Sequence, residues 1–198
     1  MANPVFSSIS LKAHPGLDEW MSVGIDGRIA IRSGKVDIGQ RISTALAMIV
    51  AEELDVPLDR IDMMRTVTGD SPNEGITSGS NSMMESGHAV RLASATARHH
   101  MLGLAAEHLG VGANTLEISD GLIQSRGTNL SVTYEELQGD KLFRIDVDPD
   151  IIVKDPQKHR IVGKRIAPVG MSEIVTGNYR YLHDMKMPGM LHSRVVRP

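Results

Sequence analysis

The chain has 198 residues, with 21 Lys plus Arg against 24 Asp plus Glu, a formal net charge of −3 at pH 7 and no cysteine. So small a charge, with both signs interspersed, gives no field to draw nucleic acid or an anionic membrane, and the lack of thiols excludes disulfides, thiolate zinc sites and iron–sulfur ligation within the chain. No run approaches the roughly 18 apolar residues of a membrane span, and the start lacks a basic stretch followed by a hydrophobic one, so no membrane span and a cytoplasmic location are expected.

Residues 1 to 16, with Pro4 and the turn signal His14-Pro15-Gly16, show no periodicity and read as a lead-in. Trp20 to Ile25 and Arg28 to Ser33 are β-type runs around Asp26-Gly27, the dipeptide suited to a type I′ hairpin turn. Ser33-Gly34-Lys35-Val36-Asp37-Ile38-Gly39-Gln40 follows as a turn of glycine and small polar residues. Beyond it, Ile42, Ala45, Leu46, Ile49 and Val50 recur at helical spacing until Asp55-Val56-Pro57, which predicts a helix over 41–54. Ile61 to Val67 reads as a strand, and Thr68 to Ser82, with its glycines and Pro72, as a long loop ending in Thr77-Ser78-Gly79-Ser80-Asn81-Ser82.

A second, longer helix is predicted over Met84 to Leu109, closed by Gly110. Thr115 to Ser119 and Leu122 to Ser125 form a hairpin about Asp120-Gly121, and Thr133 with Glu136 makes a capping box for a short helix through Leu137. Residues 139–158 turn polar, with Asp146, Asp148, Asp150 and Asp155, and read as a linker, since the aspartates lack an EF-hand spacing. The expected organisation is an α+β segment over 17–138, the linker, and a remainder over 159–198 too short to be an autonomous domain.

Two turns, each ahead of an apolar-periodic run, can aim backbone N–H groups and side-chain amides or hydroxyls at one large polar ligand. Gln40 offers both a donor and an acceptor. Taken alone, each turn is equally a helix start or a solvated loop. The eight histidines form no His-x-x-x-His pair, and the adjacent carboxylates Glu52-Glu53 and Glu135-Glu136 point different ways on a helix and make poor acid/base partners.

Gly34-Lys35-Val36-Asp37-Ile38-Gly39-Gln40, with Ala51-Glu52-Glu53-Leu54 and Val67-Thr68-Gly69-Asp70, resembles the first molybdopterin-contacting stretch of the xanthine dehydrogenase and aldehyde oxidase family of molybdenum hydroxylases. That family's motif typically runs Val-Glu-Leu-Gly-Gln-Gly, and Arg41 stands where its last glycine belongs. Arg160-Ile161-Val162-Gly163-Lys164, Val175-Thr176-Gly177, Tyr181-Leu182-His183-Asp184 and Met187-Pro188-Gly189-Met190-Leu191-His192 resemble the opening of the family's hammerhead-like α/β domain. The order of the two is similar to the isoquinoline 1-oxidoreductase and nicotinate dehydrogenase branch.

The resemblance implies a molybdopterin cofactor contacted by Gly39, Gln40, Arg41, Thr77, Ser78, Gly79, Ser80, Asn81 and Ser82, with Gln40 beside the molybdenum. Arg41 departs from the family's glycine, and its guanidinium either pairs with a cofactor phosphate or faces solvent at the helix start. It implies hydroxylation of an N-heteroaromatic or aldehyde carbon of a small-molecule substrate, using water. Electrons would leave through an iron–sulfur subunit to another that carries FAD or haem. The family's base glutamate, in a Gly-x-Gly-Glu segment, and its glycine-phenylalanine-glycine stretch have no counterpart here. No catalytic residue is therefore expected in this chain, and the remaining portion of the molybdenum subunit would complete the site. The final stretch, about Leu191 to Val196, is expected to pair as a strand with a partner's sheet. The alternative is a non-catalytic α+β interaction module or remnant that keeps the fold without the cofactor.

Overall fold

In the computed structural model, residues 8–197 are described and the chain divides into two compact units, Met1–Arg165 and Ile166–Pro198. The first is α+β. It begins with two short helices, α1 (Ile9–Ala13) and α2 (Leu17–Trp20). A three-stranded mixed sheet follows, built from β1 (Met21–Val23), β2 (Ile29–Ile31) and β3 (Ile61–Met63). Strands β1 and β2 are antiparallel, whereas β2 and β3 are parallel, joined by the 13-residue helix α3 (Ile42–Leu54) as the crossover that a parallel pair requires. A 22-residue helix, α4 (His88–Leu109), packs along α3. It leads into the antiparallel meander β4 (Leu116–Ser119), β5 (Leu122–Ser125) and β6 (Ser131–Thr133), then the capped helix α5 (Tyr134–Gln138).

The core is one continuous cluster. Trp20 and Tyr134 are fully buried, together with Ile29, Ile31, Leu46, Val50, Ala93, Ala97, Met101 and Ile123. Helix α4 is buried all round over 92–98, because its run of Ala, Ser and Thr lets neighbours approach from every side. The Arg60 guanidinium joins the two sheets at their turns, donating to the carbonyl oxygens of Gly27 and Asp120, both at 2.8 Å, and to Glu135 at 3.0 Å.

The predicted helix over 41–54, the long second helix with its Gly110 terminator, the Asp120-Gly121 hairpin and the Thr133–Glu136 capping box are all present. In the hairpin, Asp120 and Gly121 have φ of 54° and 78°, the double positive φ of a type I′ turn.

Other expectations are corrected. The first hairpin is not a two-residue turn: Val23 pairs with Ile29, so five residues connect the strands, and only Gly27 has positive φ. Strand β3 ends at Met63 rather than Val67. The lead-in, so far as it is described, holds helix α1, capped by the Ser8 hydroxyl; Pro4 and the rest of residues 1–7 lie outside the described residues.

The polar stretch 139–158 is not a free linker. Phe143 and Val147 are buried in the core, the Asp18 carboxylate accepts the N–H groups of Phe143 and Arg144 at 2.7 and 2.9 Å, and Val147 N–H donates to Pro15 O at 2.8 Å. Its aspartates mask two apolar anchors and a set of backbone donors.

The second unit holds helix α6 (Met171–Val175) and a single helical turn at Leu182–Asp184. None of its described residues is buried, and the stretch expected as a final strand, Leu191 to Val196, is exposed and forms no strand among the described residues. No helix of the described residues is long and apolar enough to cross a membrane.

Candidate functional site

The turn after β2 leaves the sheet at Ser33 and runs to Arg41. Gln40 closes it on itself: its side-chain Oε1 accepts the Ile38 N–H at 2.6 Å and its Nε2 donates to Val36 O at 2.9 Å. A carboxamide has two N–H donors, so one remains for a ligand. Gly39 has φ of 109°, a conformation open to glycine alone, and Arg41 follows at φ 59° in the left-handed region. The motif's missing last glycine thus falls where glycine would be conformationally at ease.

One part of the expected arrangement differs. In the first turn of α3, the backbone N–H and the hydroxyl of Ser43 are taken by the Asp37 carboxylate rather than left for an outside anion.

The second turn is Thr77 to Ser82. Gly79 and Ser80 have φ of 62° and 58°, and Asn81 N–H closes onto Ser78 O at 3.3 Å. Ser78, Gly79, Ser80 and Asn81 are exposed, while Thr77 is half-buried and Ser82 is buried. From there the chain enters a widened π-type turn, Met83–Gly87, which runs directly into α4. Such single-turn widenings are frequent at functional sites.

The two turns are bonded to one another. Val36 N–H donates to the Thr77 hydroxyl at 3.1 Å. The Lys35 ammonium, from a buried side chain, donates to the carbonyls of Glu74 and Ile76 at 2.5 and 3.0 Å. In return the Glu74 carboxylate accepts from the Ser33 hydroxyl at 2.7 Å, the Gly34 N–H at 2.8 Å and the Ser86 hydroxyl at 2.6 Å. Gly34 makes this approach possible, since a Cβ there would lie 2.2 Å from Pro72 O and 2.9 Å from Glu74 N. Gln40 and the Thr77–Ser82 stretch therefore stand on turns that are hydrogen-bonded to one another.

Exposed side chains of Val36, Ile38, Ile76, Met83 and Met84 lie on the same segments. No group of three or more His, Asp or Glu suited to a metal occurs among the described residues. The imidazole of His88, half-buried at the start of α4, makes no hydrogen bond to another described residue, while the backbone N–H of His88 donates to Glu85 O.

Sequence reasoning missed Glu74, Lys35 and Ser86 as the connectors, because a loop glutamate and a turn lysine carry no positional signal. Glu52 and Glu53 point different ways, as expected of neighbours on a helix, and both are buried near the end of α3. Glu53 pairs with Arg91 at 2.9 Å and Arg98 at 3.3 Å. One oxygen of Glu52 accepts three consecutive backbone N–H groups, from Arg160, Ile161 and Val162, at 2.8, 2.6 and 3.0 Å. Burial pushes the Glu52 carboxyl up, but those backbone donors, led by Ile161, together with Lys154, hold it below the ordinary carboxylate range.

The donor set suits a large polar group rich in acceptors. It combines glycine-opened backbone, the exposed hydroxyls of Ser78 and Ser80, the Asn81 carboxamide and the spare N–H of Gln40.

The family model of the molybdopterin cofactor-binding domain matches residues 3–160. A nicotinate dehydrogenase subunit of Pseudomonas putida is 39% identical over 90% of this chain and 15% of its own length. The beta subunit of isoquinoline 1-oxidoreductase from Brevundimonas diminuta is 26% identical over 89% of this chain and 28% of its own. Among solved structures, reconstituted CO dehydrogenase from Oligotropha carboxidovorans superposes with a TM-score of 0.53 at 28% identity, covering 59% of this chain and 15% of that one. The chain thus spans less than a third of the curated relatives just named. With its two small-residue turns joined ahead of α3 and α4, the chain belongs to the molybdopterin cofactor-binding domain family, within the molybdenum subunits of the xanthine dehydrogenase type.

Proposed function

We propose that this chain supplies one wall of the molybdopterin site in a molybdenum hydroxylase acting on an N-heteroaromatic or aldehyde carbon. The observation that carries this reading is the direct bonding of the two turns, Val36 to Thr77 and Lys35 to Glu74 and Ile76. Gly39 and Gln40 contribute backbone and amide donors, and the Arg41 guanidinium meets a cofactor phosphate. Thr77, Ser78, Gly79, Ser80, Asn81 and Ser82 give backbone, hydroxyl and amide contacts. Leaving a polar group of a buried cofactor unpaired costs about 1 to 3 kcal/mol, which favours such a dense set of small donors.

When bound, the cofactor supplies the two-electron oxidation that carries oxygen from water to the substrate carbon. This chain's residues hold and orient it, and the rest of the molybdenum subunit provides the base and the substrate pocket. Residues 166–198 open a hammerhead-like domain whose Leu191 to Val196 stretch pairs with a partner's sheet. The exposed Leu191, Val195 and Val196 support that reading. Iron–sulfur clusters, with FAD or haem, sit on separate subunits, consistent with a chain that has no cysteine, and the complex is cytoplasmic.

The test is metal and pterin analysis of the chain co-expressed with the genes beside its own. Molybdenum and pterin should co-purify with the wild type and fall sharply in Gln40→Ala. A folded, stable protein without either would favour an interaction module that has lost the cofactor.

A further inference from the structure

Lys35 and Glu74 are arranged as a crossed pair. Each starts on its own turn and spends its polar atoms on the other. The Lys35 ammonium reaches the carbonyls of Glu74 and Ile76, and the Glu74 carboxylate reaches the Ser33 hydroxyl and the Gly34 N–H, while its second oxygen takes the Ser86 hydroxyl. No ion pair links the two charges among the described residues; each charge is met by backbone and hydroxyl groups of the opposite segment, to which Ser86 adds one hydroxyl for Glu74.

The surroundings leave little slack. Lys35, Ser33 and Ser86 are 7%, 3% and 0% exposed, and Gly34 sits against the Pro72 carbonyl with no room for a Cβ. Ser86 lies in the π-type turn at the head of α4, so the same carboxylate ties the first turn, the loop and the second helix together. Charge-assisted hydrogen bonds are about twice as strong as neutral ones, and a buried lysine such as Lys35 is strongly specified in position because another geometry strands its charge; Glu74 is half-buried.

We infer that Lys35 and Glu74 are positioning residues that set the separation of the two turns, and that the spacing of Gln40 from the Ser78–Asn81 stretch depends on them. The inference rests on the molybdopterin reading for its purpose, but not for its geometry. Both side chains spend their polar atoms on neighbouring segments and act through the groups they hold.

The experiment has two arms. In the first, hydrogen–deuterium exchange is followed on the chain itself for wild type, Lys35→Met, Glu74→Ala and Glu74→Gln. The expected result is joint loss of protection in peptides covering 34–40 and 74–82 in Lys35→Met and in Glu74→Ala, with the α3 and α4 peptides unchanged. Glu74→Gln should restore much of it, since one carboxamide oxygen still accepts from Ser33 and Gly34. Because the pair acts as a unit, the double variant should loosen the turns no further than either single one. Loosening of one turn without the other, strictly additive effects, or unchanged exchange in both would overturn the inference.

In the second arm, pterin content of the co-expressed assembly is measured for the same variants. A loss of tenfold or more in Glu74→Ala, with partial recovery in Glu74→Gln, is expected. A loaded wild type with equally loaded variants overturns the positioning role. A wild type without pterin overturns the cofactor reading and leaves the exchange arm to decide the brace. If the alanine variant does not fold, Ser86→Ala replaces it, removing one donor to Glu74; the 74–82 peptide should then lose protection, and its full retention would count against the inference.

Discussion

Arg41 holds φ at 59° with no side-chain partner among the described residues, although an L-residue in the left-handed region costs about 1 to 2 kcal/mol. Glycine would remove that strain and give back part of the gain as unfolded-chain entropy. Arg41→Gly is therefore expected to stabilise the fold by about 0.5 to 1 kcal/mol, raising the melting midpoint by about 2 °C. Calorimetry checks it, and a lower midpoint would show that the guanidinium contributes more than its backbone costs. Gly34 is the opposite case. A methyl group there meets backbone atoms at 2.2 and 2.9 Å, so Gly34→Ala should destabilise by about 2 to 3 kcal/mol, read from urea unfolding. Gln40 and the hydroxyl stretch were visible in the sequence because small residues and glycine announce a turn. Lys35 and Glu74 were not, because their roles exist only once the two turns touch.

At the scale of elements, helix α3 shows what periodicity reveals and what it hides. Ile42, Leu46 and Val50 mark its buried stripe as expected. Its last turn, however, buries Glu52 and Glu53, and the partners that make this tolerable come from Arg91, Arg98, Lys154 and the backbone of 160–162. Glu52 is held below its unfolded-state pKa. Its contribution is complete above that unfolded value, about 4.3, and is lost as pH falls through the folded one. Wild-type stability should consequently drop between about pH 5 and pH 3. Glu52→Gln should flatten part of that slope while costing about 2 kcal/mol at pH 7, since charged acceptors are worth more than neutral ones. Urea midpoints at the two pH values decide it, and an unchanged slope would exclude Glu52 as a source of the acid sensitivity.

The turn chemistry was legible wherever it was local, as in Asp120-Gly121 and the Thr133–Glu136 box. The stretch 139–158 was not, because its burial depends on α2 and on the start of the chain, a relation that no window along the sequence contains. Helix α1 escaped for a similar reason: at five residues it is too short to display a period.

Across the whole molecule, burial is confined to the first unit, and no described residue beyond 165 is buried. A chain ending at residue 165 should accordingly keep the melting midpoint of the full chain in calorimetry; a clear drop would mean that residues 166–198 stabilise the first unit. Family and α+β class were readable because the glycine-glutamine turn and the small-residue loop keep their order and spacing ahead of two helices.

The Asp18 carboxylate holds the N–H groups of Phe143 and Arg144, Pro15 accepts from Val147, and Glu52 waits for the amides of Arg160 to Val162. Early and late segments thus close the same knot of contacts, a topology rich in sequence-distant pairings that slows folding. On the ribosome, the nascent chain would carry the unsealed α3 and α4 faces until about the 160s have cleared the exit tunnel. For roughly 3 to 20 seconds at ordinary elongation rates, those apolar faces are exposed to chaperones before the protein can shut itself.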